Sequence, residues 1–246
     1  MSYFFFIVLG FALGLLPSII WLLFYLPEDV HPEPKRLVVR VFFWGMLAAL
    51  PAIFLEGITK TIKGGFGSSP ILEICYWFLA VALVEELLKY LVVRGKILEN
   101  PEFDEPVDAM LYMVIAGLGF AASENILIFL SQVLSALDLR DVFVLLFFRF
   151  FSATFLHAVA SATVGYFLAL SFFAKKKKPS LVVLGLGIST LLHGFYDFSI
   201  IGLKEGFEAS LPLIYLTEIA LVILLGIAVW GLFVLLGFRK LRKMKT

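Results

Sequence analysis

The chain has 246 residues, 61% of them hydrophobic, 16% aromatic and only 16% charged, with a formal net charge of +1. A soluble domain carries about 25% charged residues, and a mean hydropathy of +1.01 excludes an ordinary water-soluble globule. The few basic residues bunch at the ends of apolar runs, which removes a nucleic-acid-binding reading.

Seven apolar runs of membrane-spanning length, about 20 residues each, are predicted in chain order: about 3–26, 37–58, 71–93, 107–131, 142–173, 180–203 and 210–238. The first exceeds the roughly 7–15 residues of a signal-peptide core and no Lys or Arg precedes it, so it reads as a retained helix. Turn-rich or charged breaks separate the runs: PEDVHPEPKR, TIKGGFGSSP, RGKILENPEFDEP and KKKKPS. The runs lack two-residue alternation and far exceed strand length, which excludes a strand barrel. The expected fold class is all-α: a polytopic transmembrane helical bundle of about seven spans with no sheet. It forms one membrane domain, 1–246, with a motif-bearing core at 71–203 and a basic tail at 239–246. Cys75, the single cysteine, allows no intrachain disulfide and reads as a small packing residue.

Basic residues orient the bundle. With the N-terminus outside and the C-terminus cytoplasmic, fourteen Lys and Arg fall on inner loops and tail against four on outer loops (Lys60, Lys63, Arg140, Lys204). The expected location is a cell membrane, crossed many times, with lipid as the surrounding partner.

Four polar clusters interrupt the apolar runs: EELLK at 85–89, FAASE at 120–124, HAVAS at 157–161 and HGFYD at 193–197. A charged side chain at a helix centre costs about 2.5–3.5 kcal/mol. Glu85, Glu86, Lys89, Glu124, Arg149 and Asp197 standing alone would together cost roughly 15–20 kcal/mol. Such groups survive by meeting one another or lining a wet cavity, so a polar site inside the bundle is expected. Glu85 is i,i+4 and Glu86 i,i+3 to Lys89, so both can reach it. One carboxylate suffices for a helix-locking ion pair; a second next to it is better explained by chemistry. His157 shares a face with Ser161, and His193 with Asp197. Arg149 either holds a carboxylate, binds a substrate main chain, or snorkels to the outer interface. Glu56 and Glu218 read as interfacial, and His31 as plain surface.

Four carboxylates against Lys89 and Arg149 leave the site two positive charges short. Protonated carboxylates, protonated His157 or His193, or a divalent metal such as Zn could balance it. Two His and a Glu are a common catalytic zinc set, and Glu86, Glu124, His157 and His193 are the candidate ligands. A metal-free site uses Glu as general base on water, with His and Asn125 stabilising the oxyanion. No obligatory cofactor is expected. Level placement of Glu86 with the histidines predicts that the third helix runs past Arg94, through Glu99, or tilts.

The order EExxK, FxxxE, HxxxS, HxxxD, together with FDEPVDAMLYMVIAGLGFAASEN at 103–125, resembles the PrsW family of intramembrane proteases. That family sits in the broader group of CAAX prenyl endopeptidases and bacteriocin-processing proteins. The resemblance implies peptide-bond hydrolysis in or beside the membrane, with a single-span membrane protein such as an anti-sigma factor as substrate. It implies Glu85 and Glu86 as the base pair with Lys89 as partner, and His157 and His193 as the family histidines. Glu124 stands where many relatives have His, and Asp197 where relatives often have Asn. Lys rather than Arg after the glutamates separates the chain from the CAAX branch. The expected mechanism is water activated by Glu86, because Glu85 has the better-spaced contact with Lys89. His157 and His193 then stabilise the oxyanion, and Asp197 or Ser161 orients a histidine. The rival readings are a proton- or ion-coupled transporter and a non-catalytic membrane adaptor.

Overall fold

The computed structural model describes residues 3–66, 69–134, 139–174, 178–202 and 213–244, and among them every regular element is helical. In order these are α1 (Tyr3–Tyr25), a 3₁₀ turn (Leu26–Glu28), α2 (Lys35–Gly65), α3 (Pro70–Cys75), a π-helical stretch (Tyr76–Ala82), α4 (Leu83–Lys96), α5 (Pro106–Leu134), α6 (Leu139–Phe151), α7 (Ala153–Phe172), α8 (Pro179–Asp197), a π-helical turn (Phe198–Gly202) and α9 (Leu213–Leu241). Six helical segments are long and apolar enough to cross a membrane. The predicted third span is the Pro70–Lys96 rod, which carries Glu85, Glu86 and Lys89 within two turns and a π-helical stretch just before them. It stops at Lys96, two residues past Arg94, and turns through Ile97 to Asn100. The expected extension through Glu99 is therefore absent.

α5 is the central rod. Val107 to Ser123 are all buried, as befits a helix apolar on every side. It packs on α1, α2 and α7. The α2 crossing is set by small residues: Val41, Gly45, Ala48, Ala49 and Ala52 form the buried stripe of α2. A Cβ on Gly45 would strike the carbonyl of Ala116, and one on Gly119 the carbonyl of Phe42. Small residues let membrane helices approach where apolar burial gives no drive between them. Ser123 Oγ donates to the Met46 carbonyl at 2.9 Å across the same seam.

The predicted 142–173 span is broken at Ser152, whose φ of −113° and ψ of −86° leave the helical region. The rod still continues across it, since Ser152 N–H bonds Phe148 O at 3.0 Å and Leu156 N–H bonds Ser152 O at 2.8 Å. Large side chains such as Phe54, Phe66, Ile71, Leu79 and Phe148 point outward, the pattern of a bundle whose solvent is lipid. Cys75 is exposed among them rather than packed inside; its place on the outer face of an apolar rod explains why an apolar run did not mean burial.

Candidate active site

Glu85, Glu86 and Lys89 occupy the first two turns of α4, immediately after the π-helical stretch. Single π turns are frequent at functional sites. Lys89 Nζ lies 2.7 Å from Glu86 Oε1, 3.2 Å from Glu85 Oε2 and 2.8 Å from His157 Nδ1. Lys89 thus favours Glu86, the i,i+3 partner, which reverses the premise that Glu85 holds it better. Glu86 is fully enclosed. It accepts from Ser189 Oγ at 2.8 Å and from His193 Nδ1 at 2.9 Å as well. Glu85 has fewer partners and faces a cavity of about 630 Å³.

The histidines are held from behind by carboxylates. His157 Nε2 lies 2.8 Å from Glu124 Oε2. A carboxylate accepts and an ammonium donates, so His157 carries its proton on Nε2 and takes a bond from Lys89 on Nδ1. His193 gives its Nδ1–H to Glu86, which leaves Nε2 facing Glu85 Oε2 at 3.6 Å and Asp197 Oδ2 at 3.3 Å. The two rings stand edge to face, 4.9 Å between centroids. α4, α5, α7 and α8 therefore converge, as four polar clusters in four apolar rods predicted.

The supporting residues divide. Arg149 donates from Nε to Asn125 Oδ1 at 2.7 Å and from Nη2 to Glu124 at 3.3 Å, so it holds a carboxylate instead of snorkelling. Asn125 gives one amide N–H to Thr154 Oγ1 at 3.0 Å, accepts from Arg149 on Oδ1 and is fully buried outside the cavity lining, so it braces Arg149 and does not face an oxyanion. Ser161 is a correction. Its Oγ has no hydrogen-bond partner and packs where a Cβ on Gly117 would sit, so it orients neither histidine. Asp197 does stand beside His193.

Other site residues escaped the sequence reading. Ser189 precedes His193 by one turn, a spacing visible in the sequence had the turn before each His been weighed as well as the one after. Glu56, expected at the interface, lines the cavity with Lys60. Glu56 Oε1 and Trp77 Nε1 are buried without a protein partner and border the same space. Polar atoms of this kind call for water partners, and the cavity has room for them. Glu218 and His31 are both exposed.

A metal fits a different set from the one anticipated. Ligand atoms of Glu85, His157 and His193 lie within 4.8 Å of one another. In neutral rings the inward nitrogens His157 Nδ1 and His193 Nε2 offer the lone pairs, because the outward ones are committed to Glu124 and Glu86. Carboxylates behind imidazoles are the usual outer partners of a metal site. Glu86 and Glu124 play that backing part: Glu86 is engaged by Lys89, Ser189 and His193, and Glu124 uses its Oε2 on His157 and Arg149. Lys89 and a cation at this place exclude each other at His157, because both need the Nδ1 lone pair.

Residues 33–232 match the model of the PrsW family, described as intramembrane metalloproteases. The chain is 31% identical over 175 residues to Protease PrsW of Geobacillus kaustophilus, covering 71% of this chain and 72% of that one. It is 30% identical over 201 residues to Protease PrsW of Bacillus subtilis, covering 81% and 86%, and 26% identical over 192 residues to that of Clostridioides difficile, covering 76% and 77%. No solved structure matches. A family match over most of the length and a bundle of apolar helices make this a multi-pass membrane peptidase, and the chain belongs to the PrsW family of intramembrane proteases.

Proposed function

We propose that the protein hydrolyses a peptide bond of a single-span membrane protein, such as an anti-sigma factor, on the extracytoplasmic side, with Glu85 as the group that activates water. The observation that carries this reading is the position of Glu85. It is the carboxylate of the EExxK pair that faces the cavity, within 3.9 Å of His157 Nδ1 and 3.6 Å of His193 Nε2.

A water in the cavity meets Glu85 and the carbonyl of an extended substrate segment. Backbone hydrolysis needs such a wet recess, since a helix in lipid keeps its carbonyls bonded. Glu85 takes the water proton as the C–O bond forms, then returns it to the departing amide nitrogen as the C–N bond breaks. Lys89, between both glutamates, pairs with Glu86 and holds it in place. Glu86 and Glu124 fix the two rings. His157 gives its one N–H to Glu124, so the oxyanion finds its donors elsewhere: Arg149 lines the cavity and uses two of its five N–H groups on Glu124 and Asn125. A divalent cation held by Glu85, His157 and His193 would add Lewis-acid polarisation and acidify the water.

The test is co-reconstitution with a single-span anti-sigma substrate in liposomes, read by mass spectrometry of new N-termini. The wild type should release one defined extracytoplasmic neo-N-terminus, and His193→Gln should lower the rate by a hundredfold or so. An intact substrate with the wild type would remove this substrate class. Equal cleavage by His193→Gln would remove the assigned site.

A further inference from the structure

The catalytic cavity does not account for a second cluster at the opposite end of α5. Asp108 lies sixteen residues before Glu124, about 24 Å away along the helix. Around it gather Asp29 and Glu33, from the segment between the 3₁₀ turn and α2, and Glu105, just ahead of α5. Ligand atoms of Asp29, Glu33 and Asp108 lie within 4.8 Å of one another, and so do those of Asp29, His31 and Glu105. Asp29 belongs to both groups and is only 4% exposed. Its Oδ1 accepts the His31 N–H at 2.9 Å, while its Oδ2 is buried with no hydrogen-bond partner.

The remaining contacts are hydrogen bonds that position these carboxylates, one of them between Glu33 and Asp108. Tyr112 Oη donates to Glu33 Oε2. Asp108 Oδ2 accepts the N–H groups of Asp104 and Glu105 at 3.1 and 2.7 Å. His31 Nδ1 lies 2.7 Å from Glu105 Oε1, and Arg242 is spent on Glu28 at 2.7 Å. Among the described residues no Lys or Arg forms an ion pair with Asp29, Glu33 or Asp108. Burial pushes the Asp29 and Glu33 carboxyls above their usual range. A buried carboxylate oxygen without a donor, beside two more carboxylates, is costly unless something cationic meets it.

We infer that Asp29, Glu33 and Asp108 hold one hard divalent cation on carboxylate oxygens. Oxygen-only donor sets suit Ca²⁺ and Mg²⁺, and this one lacks the two imidazoles of the catalytic cluster. The cation ties the segment after α1 to the head of α5, the rod that carries Glu124. It acts as a staple for the bundle and takes no part in hydrolysis.

The experiment uses the full chain purified in detergent, stripped with a chelator and titrated separately with Ca²⁺ and Mg²⁺. Bound metal and the thermal midpoint are both recorded. One ion per chain and a rise of several degrees are expected for at least one of the two metals, because a ligand of the native state stabilises it. The rise should persist in Glu85→Gln, which alters only the catalytic cavity. It should be lost in Asp29→Asn and weakened at least tenfold in apparent affinity in Glu33→Gln. No bound ion and no shift with either metal in the wild type overturns the inference, whatever the variants do. So does an undiminished shift in both Asp29→Asn and Glu33→Gln.

Discussion

Glu85 and Glu86 are neighbours in sequence with opposite duties. Glu86 receives Lys89, Ser189 and His193 and sees no solvent. Removing it leaves the Lys89 ammonium poorly compensated in a closed site, which costs about 3–5 kcal/mol. Glu86→Ala should therefore lower the thermal midpoint strongly as well as stop cleavage, whereas Glu85→Gln should stop cleavage with the midpoint little changed. Differential scanning fluorimetry on the two purified variants reads this split; equal losses of stability would refute the division. Lys89 yields a second prediction. Because it shares the His157 Nδ1 lone pair with any bound metal, zinc should raise the thermal midpoint of Lys89→Met more than that of the wild type. An equal response to zinc would show that the ammonium and the metal do not compete. Most of these residues were legible beforehand, since charge in an apolar run is conspicuous. The order of preference between the glutamates was not, because i,i+3 and i,i+4 spacings both bring a Lys into range and only the neighbouring helix decides. That Glu56 lines the cavity was not legible for a related reason: the sequence does not say that a cavity reaches it.

At the scale of elements, the tightest joint is α2 against α5. Gly119 abuts the Phe42 carbonyl and Gly45 that of Ala116, so a methyl group has to push backbone from backbone. Gly119→Ala should cost about 1–3 kcal/mol or more by overpacking, while Gly57→Ala, with open space around its Cβ, should be neutral. Thermal midpoints of both variants test the joint, and an unperturbed Gly119→Ala would mean that the two helices are not in contact there. The helical class and the chain order of the runs followed from run length; of the seven predicted spans, six meet the length and hydropathy of a membrane crossing among the described residues. The π-helical stretch Tyr76–Ala82 and the break at Ser152 did not, since neither holds a Pro or Gly to announce it. Tyr76 and Trp77 in the first case and the Tyr196 hydroxyl on Ser152 Oγ, at 2.9 Å, in the second belong to tertiary packing.

For the whole molecule, orientation decides which face meets substrate. The fourteen-to-four bias of basic residues supports a cytoplasmic C-terminus. On that reading α2 rises outward, and Glu56 and Lys60 bring the cavity mouth toward the outer side. In a Cys75→Ala background, Phe66→Cys should react with an impermeant thiol reagent in intact cells, and Asn100→Cys only after permeabilisation; the reverse pattern would invert the bundle. The proposal that unites the three scales is that Glu85, presented by α4 to a cavity between two braced histidines, activates the hydrolytic water. The most direct measurement is the single-turnover rate of substrate cleavage by reconstituted Glu85→Gln, compared with the wild type at matched folded fraction. A loss of at least a hundredfold, with an unchanged thermal midpoint, is the predicted result; cleavage within twofold of the wild type would contradict it.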